Sequence, residues 1–108
     1  MVKRVLFVCS GNFHRSPTAV KVFKDREGFE VKSAGTSFNM PNPISAELVQ
    51  WADKIFVMEE KHKEFIAQKH PEAKSKIIVL DIEDNYSRDD PQLKAILKEK
   101  LESYFNSP

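Results

Sequence analysis

Four short apolar runs, each followed by a longer stretch of helical periodicity, constrain this chain more than any other feature. The first run, Val5-Leu6-Phe7-Val8, is uninterrupted and carries two β-branched residues. It reads as a strand buried on both faces. Residues 29–33 alternate apolar and polar and read as a second strand. Ile55-Phe56-Val57-Met58 reads as a third and Ile77-Ile78-Val79-Leu80 as a fourth. Ser16 and Pro17 open the first helix, with Ser16 able to cap and Pro17 tolerated in the first turn. Ala19, Val22 and Phe23 share one face of it, and Gly28 ends that stretch. Residues 45–52 read as a short amphipathic helix with Leu48, Trp51 and Ala52 inward. Residues 59–69 read as a charged helix with a weak apolar face at Phe65 and Ile66. Asp90 caps the last helix, Pro91 occupies its first position, and Leu93, Leu97, Leu101, Tyr104 and Phe105 form its buried face. Residues 35–43 form a loop rich in Pro and Asn, and residues 81–90 form an acidic one.

The order βαβαβαβα predicts an α/β fold: an open four-stranded parallel sheet with helices on both faces. Right-handed crossovers leave few topologies for it. In such sheets a ligand sits at the carboxyl ends of the strands, where the strand order reverses. The loop after the first strand belongs there.

At 108 residues the chain builds one core and a single domain, residues 1–108. Its net charge of +1 supplies no strong field toward nucleic acid or an anionic membrane, so anion binding has to be local. No apolar run approaches the roughly 20 residues of a membrane span. The apolar residues after Lys3 and Arg4 are too few for a secretory signal, which makes a cytoplasmic location the expectation. One cysteine rules out an internal disulfide and a cysteine-based zinc finger. His14, His62 and His70 show no metal-ligand spacing, so no metal or other cofactor is expected. His62 and His70, set among lysines and glutamates, read as solvated.

The loop after the first strand runs Cys9-Ser10-Gly11-Asn12-Phe13-His14-Arg15-Ser16. It leads from a buried strand into a helix start, so backbone N–H groups and the helix dipole converge on one point. Gly11 and Asn12 tolerate the left-handed conformations that an anion nest needs. Arg15 can grip two phosphate oxygens in parallel. Cys9 lies under the same positive field, the environment that favours thiolate, and thiolate is the form that attacks phosphorus. The Ser16 hydroxyl is placed to donate to the sulfur. Each feature alone has a bland reading, since a cysteine at a strand end is most often a small buried hydrophobe. Spacing, Arg-Ser pair, Gly-Asn pair and strand–loop–helix setting together point to a catalytic phosphate-binding loop.

These residues resemble a known family. VLFVCSGNFHRSPTA is similar to the phosphate-binding loop of the low-molecular-weight protein tyrosine phosphatases, with its C-x-G-N-x-x-R-S-P pattern. Ser33-Ala34-Gly35-Thr36 looks like the family's SAGT segment. Ala52-Asp53-Lys54-Ile55 with Val57-Met58 looks like its A-D-x-I-x-x-M strand, and Ile82-Glu83-Asp84-Asn85-Tyr86 like the stretch that holds its catalytic aspartate. The resemblance implies a flavodoxin-like, phosphotyrosine protein phosphatase I-like fold. It also implies metal-free hydrolysis of phosphate monoesters, with protein phosphotyrosine as the expected substrate, through a phosphocysteine on Cys9. Ser10, Gly11, Asn12, Phe13, His14, Arg15 and Ser16 would bind the phosphate. Asn12 would fix the loop with Ser33 as its partner, and Phe13, Phe38 and Tyr86 would wall the substrate pocket. Asp84 matches the general acid when aligned on the tyrosine. Asp81 and Asp90 remain alternatives in a loop that also holds Glu83 and Asp89, although Asp90 has a simpler role as helix cap. The chain departs from the family in its short segment over residues 37–51, in His14 where a second cysteine is frequent, and in lacking a proline after Asp84. A monomer or weak dimer acting on a phosphoprotein or small phosphate monoester is the resulting expectation.

Three rival functions share the loop. An arsenate reductase that relays a disulfide along its own chain needs further cysteines and is excluded, but one using an external thiol is not. A phosphocysteine carrier would have to keep its phosphoryl group, against which Arg15 and an acidic loop argue. A non-catalytic phosphate or phosphopeptide binder would keep Arg15 and need neither Cys9 nor Asp84.

Overall fold

The computed structural model describes residues 3–10, 15–24, 26–36, 43–83, 86–87 and 89–105. The strands are β1 (Lys3–Cys9), β2 (Phe29–Gly35), β3 (Lys54–Val57) and β4 (Ile77–Val79). The helices are α1 (Arg15–Phe23), α2 (Ala46–Trp51), α3 (Glu60–Lys69) and α4 (Pro91–Phe105), and a 3-10 helix at Pro71–Lys76 precedes β4. All the strand pairings are parallel, and the sheet order is β2-β1-β3-β4. The expected α/β architecture is therefore the observed one.

The pleat explains why the strands read as unbroken apolar runs. Along β1, Val5, Phe7 and Cys9 face a core shared with Ala19 and Phe23 of α1 and with Leu93, Leu97 and Leu101 of α4. Leu6 and Val8 face the opposite core, shared with Val49 of α2 and Ile66 of α3. Alternate residues thus serve two cores, and a strand between them has no polar face to show. Phe7 sits at the centre of the first core, its ring 5.7 Å from that of Phe56 and 6.2 Å from that of Phe23.

Local signals set the element ends. Gly28 takes φ +88°, which an L side chain rarely adopts, and its carbonyl accepts from Lys3 N–H to close the entry to β2. Ser45 caps α2, its hydroxyl accepting from Leu48 N–H at 3.2 Å. Asp90 caps α4, its Oδ1 accepting from Gln92 N–H at 2.8 Å, with Pro91 in the first position.

Two faces differ from the sequence reading. On α2 it is Val49 that is buried, whereas Leu48 and Trp51 are half-buried. Leu48 and Trp51 pack against the second core from its edge, and the Lys32 ammonium lies over Trp51, 4.6 Å from the ring centroid. Tyr104 is 37% exposed and meets Phe56 edge-on at 5.1 Å, covering that ring from outside. Among the described residues no helix is long and apolar enough to cross a membrane.

Leu97 is fully buried where α4 crosses the sheet. Leu97→Ala is expected to destabilise the fold by about 2–5 kcal/mol, read as a fall in the urea midpoint at unchanged slope.

Candidate active site

Strand order reverses between β1 and β3. From β1 the chain crosses to β2 on one side, then returns past β1 to β3 on the other. The carboxyl ends of these strands bring together the segments after β1, β3 and β4. Backbone bonds hold them in step: Met58 N–H donates to Val8 O, Leu80 N–H to Val57 O and Ile82 N–H to Met58 O.

Cys9 is the last residue of β1 and is 3% exposed. The pleat turns its side chain to the α1 face, and Ser16, fully buried, meets it there. The Ser16 Oγ lies 3.0 Å from Cys9 Sγ. The helix starts at Arg15, so Ser16 lies inside it and is not its cap. That position aims the hydroxyl at the sulfur. Thr36 N–H donates to Cys9 O and ties the end of β2 to the same point.

Arg15 is the first residue of α1 and is 2% exposed. Its Nη1 donates to Glu59 Oε2 at 2.6 Å and to Ile82 O at 2.7 Å. Both hydrogens of that nitrogen are committed to the protein. Glu59 immediately precedes α3. The hydrogen bond from Arg15 holds its carboxyl below the ordinary value of 4.5, against an upward push from burial and with further help from the charges of Arg15 and of Lys61, whose Nζ lies 3.7 Å from Oε2.

His62 corrects the sequence reading. It is 1% exposed, not solvated. Its Nδ1 accepts from Glu59 N–H at 3.0 Å, and its Nε2 lies 2.9 Å from Ser10 Oγ. His70 is half-buried, with Nδ1 3.7 Å from Glu72 Oε1. Glu59, His62 and the Ile82 carbonyl are the site groups that sequence reasoning missed. Glu59 and His62 stand three apart at the start of a helix, the spacing of a capping box, and they follow the strand that neighbours β1. That signal was present but was masked by the surrounding charged residues.

The structure brings Cys9, Ser10, Arg15 and Ser16 together. Tyr86 is half-buried, packs against the core that holds Cys9, and lines a cavity of about 380 Å³ with Asp81, Ile82 and Glu83. Among the other acids, Asp90 serves as the α4 cap. Asp89 anchors α1: its Oδ2 lies 2.9 Å from Lys21 Nζ, and its N–H donates to Thr18 Oγ1 at 3.0 Å. Asp81 is exposed, with φ 56°. Ser33 is half-buried in β2. Gly11, Asn12, Phe13, His14, Phe38 and Asp84 lie outside the described residues. Among the described residues no three His, Cys, Asp or Glu side chains cluster as metal ligands.

A carboxyl held low by its partner stabilises the folded state only while it is ionised. Glu59 therefore contributes fully above its ordinary value of 4.5 and loses that contribution as pH falls through its lowered one. Glu59→Gln is expected to destabilise the protein at pH 7 by about 1.5–3 kcal/mol. The difference from the parent should shrink as denaturation is repeated at successively lower pH. A gap that stays constant into acid would refute the charge-assisted bond.

No protein-family model matches the sequence. A protein-arginine-phosphatase of Geobacillus stearothermophilus is 31% identical, the match covering 74% of this chain and 70% of the relative. The solved YwlE arginine phosphatase from Geobacillus stearothermophilus superposes with a TM-score of 0.76 at 26% identity, covering 96% of this chain and 93% of that one. A low molecular weight protein tyrosine phosphatase from T. tengcongensis superposes with a TM-score of 0.73, also at 26% identity, covering 91% and 92%. With 31% identity to one phosphatase across 74% of its length, and its fold shared with arginine and tyrosine phosphatases alike, this chain belongs to the low-molecular-weight protein tyrosine phosphatase family.

Proposed function

We propose that this phosphatase works through Cys9 as nucleophile and Arg15 as phosphate clamp, and that its substrate is protein phosphotyrosine. The observation that carries the reading is the buried pair at the start of α1: Cys9 Sγ 3.0 Å from Ser16 Oγ, beside an arginine held by a carboxylate. The Cys9 thiolate attacks phosphorus and the bond to the phenolic oxygen breaks. Asp84, carried over by resemblance, donates its proton to the leaving oxygen. The phosphoryl group then rests on sulfur. Water attacks it and gives its proton to Asp84, and the thiolate leaves with inorganic phosphate released. Ser16 donates to the sulfur in both steps, which favours thiolate as attacker and as leaving group. Arg15 and the backbone N–H groups at the helix start stabilise the equatorial oxygens without a metal.

The resemblance assigns Phe13, Phe38 and Tyr86 to the pocket walls, and aromatic walls would suit a flat phenyl ring. A second reading, phosphoarginine, is favoured by the relative at 31% identity that bears that activity in its name. Guanidinium planes also stack on aromatic faces. The chemistry is the same, except that a phosphorus–nitrogen bond breaks and the acid protonates nitrogen.

Release of p-nitrophenol from p-nitrophenyl phosphate, in chelator and with the thiol reduced, tests the mechanism. The parent should turn over, and Cys9→Ser should lose at least about a thousandfold in kcat. A parent without turnover, or a Cys9→Ser variant that retains it, would overturn the reading. Comparing kcat/KM on phosphotyrosine and phosphoarginine peptides then decides the substrate, with the tyrosine peptide expected to be the faster.

A further inference from the structure

One imidazole stands between the two halves of the site. His62 is the third residue of α3 and is 1% exposed, while touching groups on two different segments. Its Nδ1 takes a backbone N–H from Glu59 at 3.0 Å, so this nitrogen carries no proton of its own. The ring proton of the neutral form is then on Nε2, which donates to Ser10 Oγ at 2.9 Å. Ser10 thereby accepts from the histidine, and its own hydrogen points away from it.

Each partner of this ring adjoins a group that would meet phosphate. Ser10 follows Cys9 in the loop. Glu59 is the residue whose carboxylate holds Arg15 Nη1 at 2.6 Å. The helix cap that fixes Glu59 and the bond that fixes Ser10 therefore pass through the same rigid ring. Moving either segment alone stretches one of the two bonds.

Building on the phosphatase reading, we propose that His62 is a positioning residue. It sets the nucleophile's loop at a fixed distance from the carboxylate that orients the arginine, and it touches no substrate. A reacting group misplaced by about 1 Å loses roughly a hundredfold in rate, so the effect belongs in the chemistry.

The test compares the parent, His62→Leu, His62→Gln, Ser10→Ala and the His62→Leu/Ser10→Ala double variant. Three quantities are read: kcat on p-nitrophenyl phosphate, protection of Cys9 by inorganic phosphate against iodoacetate, and thermal melting. His62→Leu should lower kcat by roughly ten- to a hundredfold and raise the phosphate concentration needed for half-protection. His62→Gln, whose amide carries an acceptor and a donor side by side, should restore most of both. Because His62 acts through Ser10, the double variant should be no slower than the slower single one.

A folded His62→Leu with parental kcat and parental protection would overturn the proposal. So would losses that multiply in the double variant. If His62→Leu does not fold, Ser10→Ala carries the test, since it leaves the α3 cap in place, and parental behaviour in it is then the refuting result. A parent without turnover defeats the phosphatase reading, while phosphate protection of Cys9 still reports on His62.

Discussion

A fully charged guanidinium buried to 2% exposure is the constraint around which the segments at this end of the sheet are arranged. Arg15 stands in the first turn of α1, where the helix presents its positive end and where an acidic side chain would ordinarily be favoured. A cation there is repelled by the helix that carries it. The structure offsets this with a carboxylate from the segment after β3 and a carbonyl from the segment after β4. Removing either leaves a buried charge short of a partner, which is far more costly than never having built one. What costs the fold stability here is also what sets this end of the sheet apart: a cation, a helix start and a sulfur gathered at one place.

The division of labour across the sheet follows from the same pleat. Odd-numbered residues of β1 face α1 and α4, and even-numbered ones face α2 and α3. Cys9 falls on the odd side, which delivers its sulfur to Ser16. A shift of one residue in β1 would turn the thiol to the other core and separate it from the helix that serves it. Core packing and the Cys9–Ser16 contact are thus the same register decision, enforced along the whole pairing of β1 with β2 from Lys3↔Phe29 to Cys9↔Gly35.

Much of this was legible in the linear sequence because its signals are local. Unbroken apolar runs mark strands serving two cores, and Asp90-Pro91 marks a helix start. A cysteine and an arginine at the two ends of one loop mark the passage from β1 to α1, where the candidate site lies. Glu59 and His62 were not legible in the same way. Their roles depend on β3 lying beside β1, a pairing between residues far apart in sequence, such as Val8↔Val57. Surrounded by Glu60, Lys61, Lys63 and Glu64, they have the look of a solvated helix start. Val49, the fully buried residue of α2, was missed for a different reason. Six residues make fewer than two turns, too few for periodicity to separate Val49 from Leu48 and Trp51.

Arg15 is held on one side by a side chain and on the other by the main-chain carbonyl of Ile82. A carbonyl is indifferent to the residue that carries it. The bond survives any replacement at position 82 that fills the same core space and keeps the backbone on its path. At this point the segment after β4 is tied to the arginine by the path of its backbone and not by its letters. A frame built this way can hold its arginine while the residues around it change, which is one physical route by which arginine and tyrosine phosphatases come to share a fold.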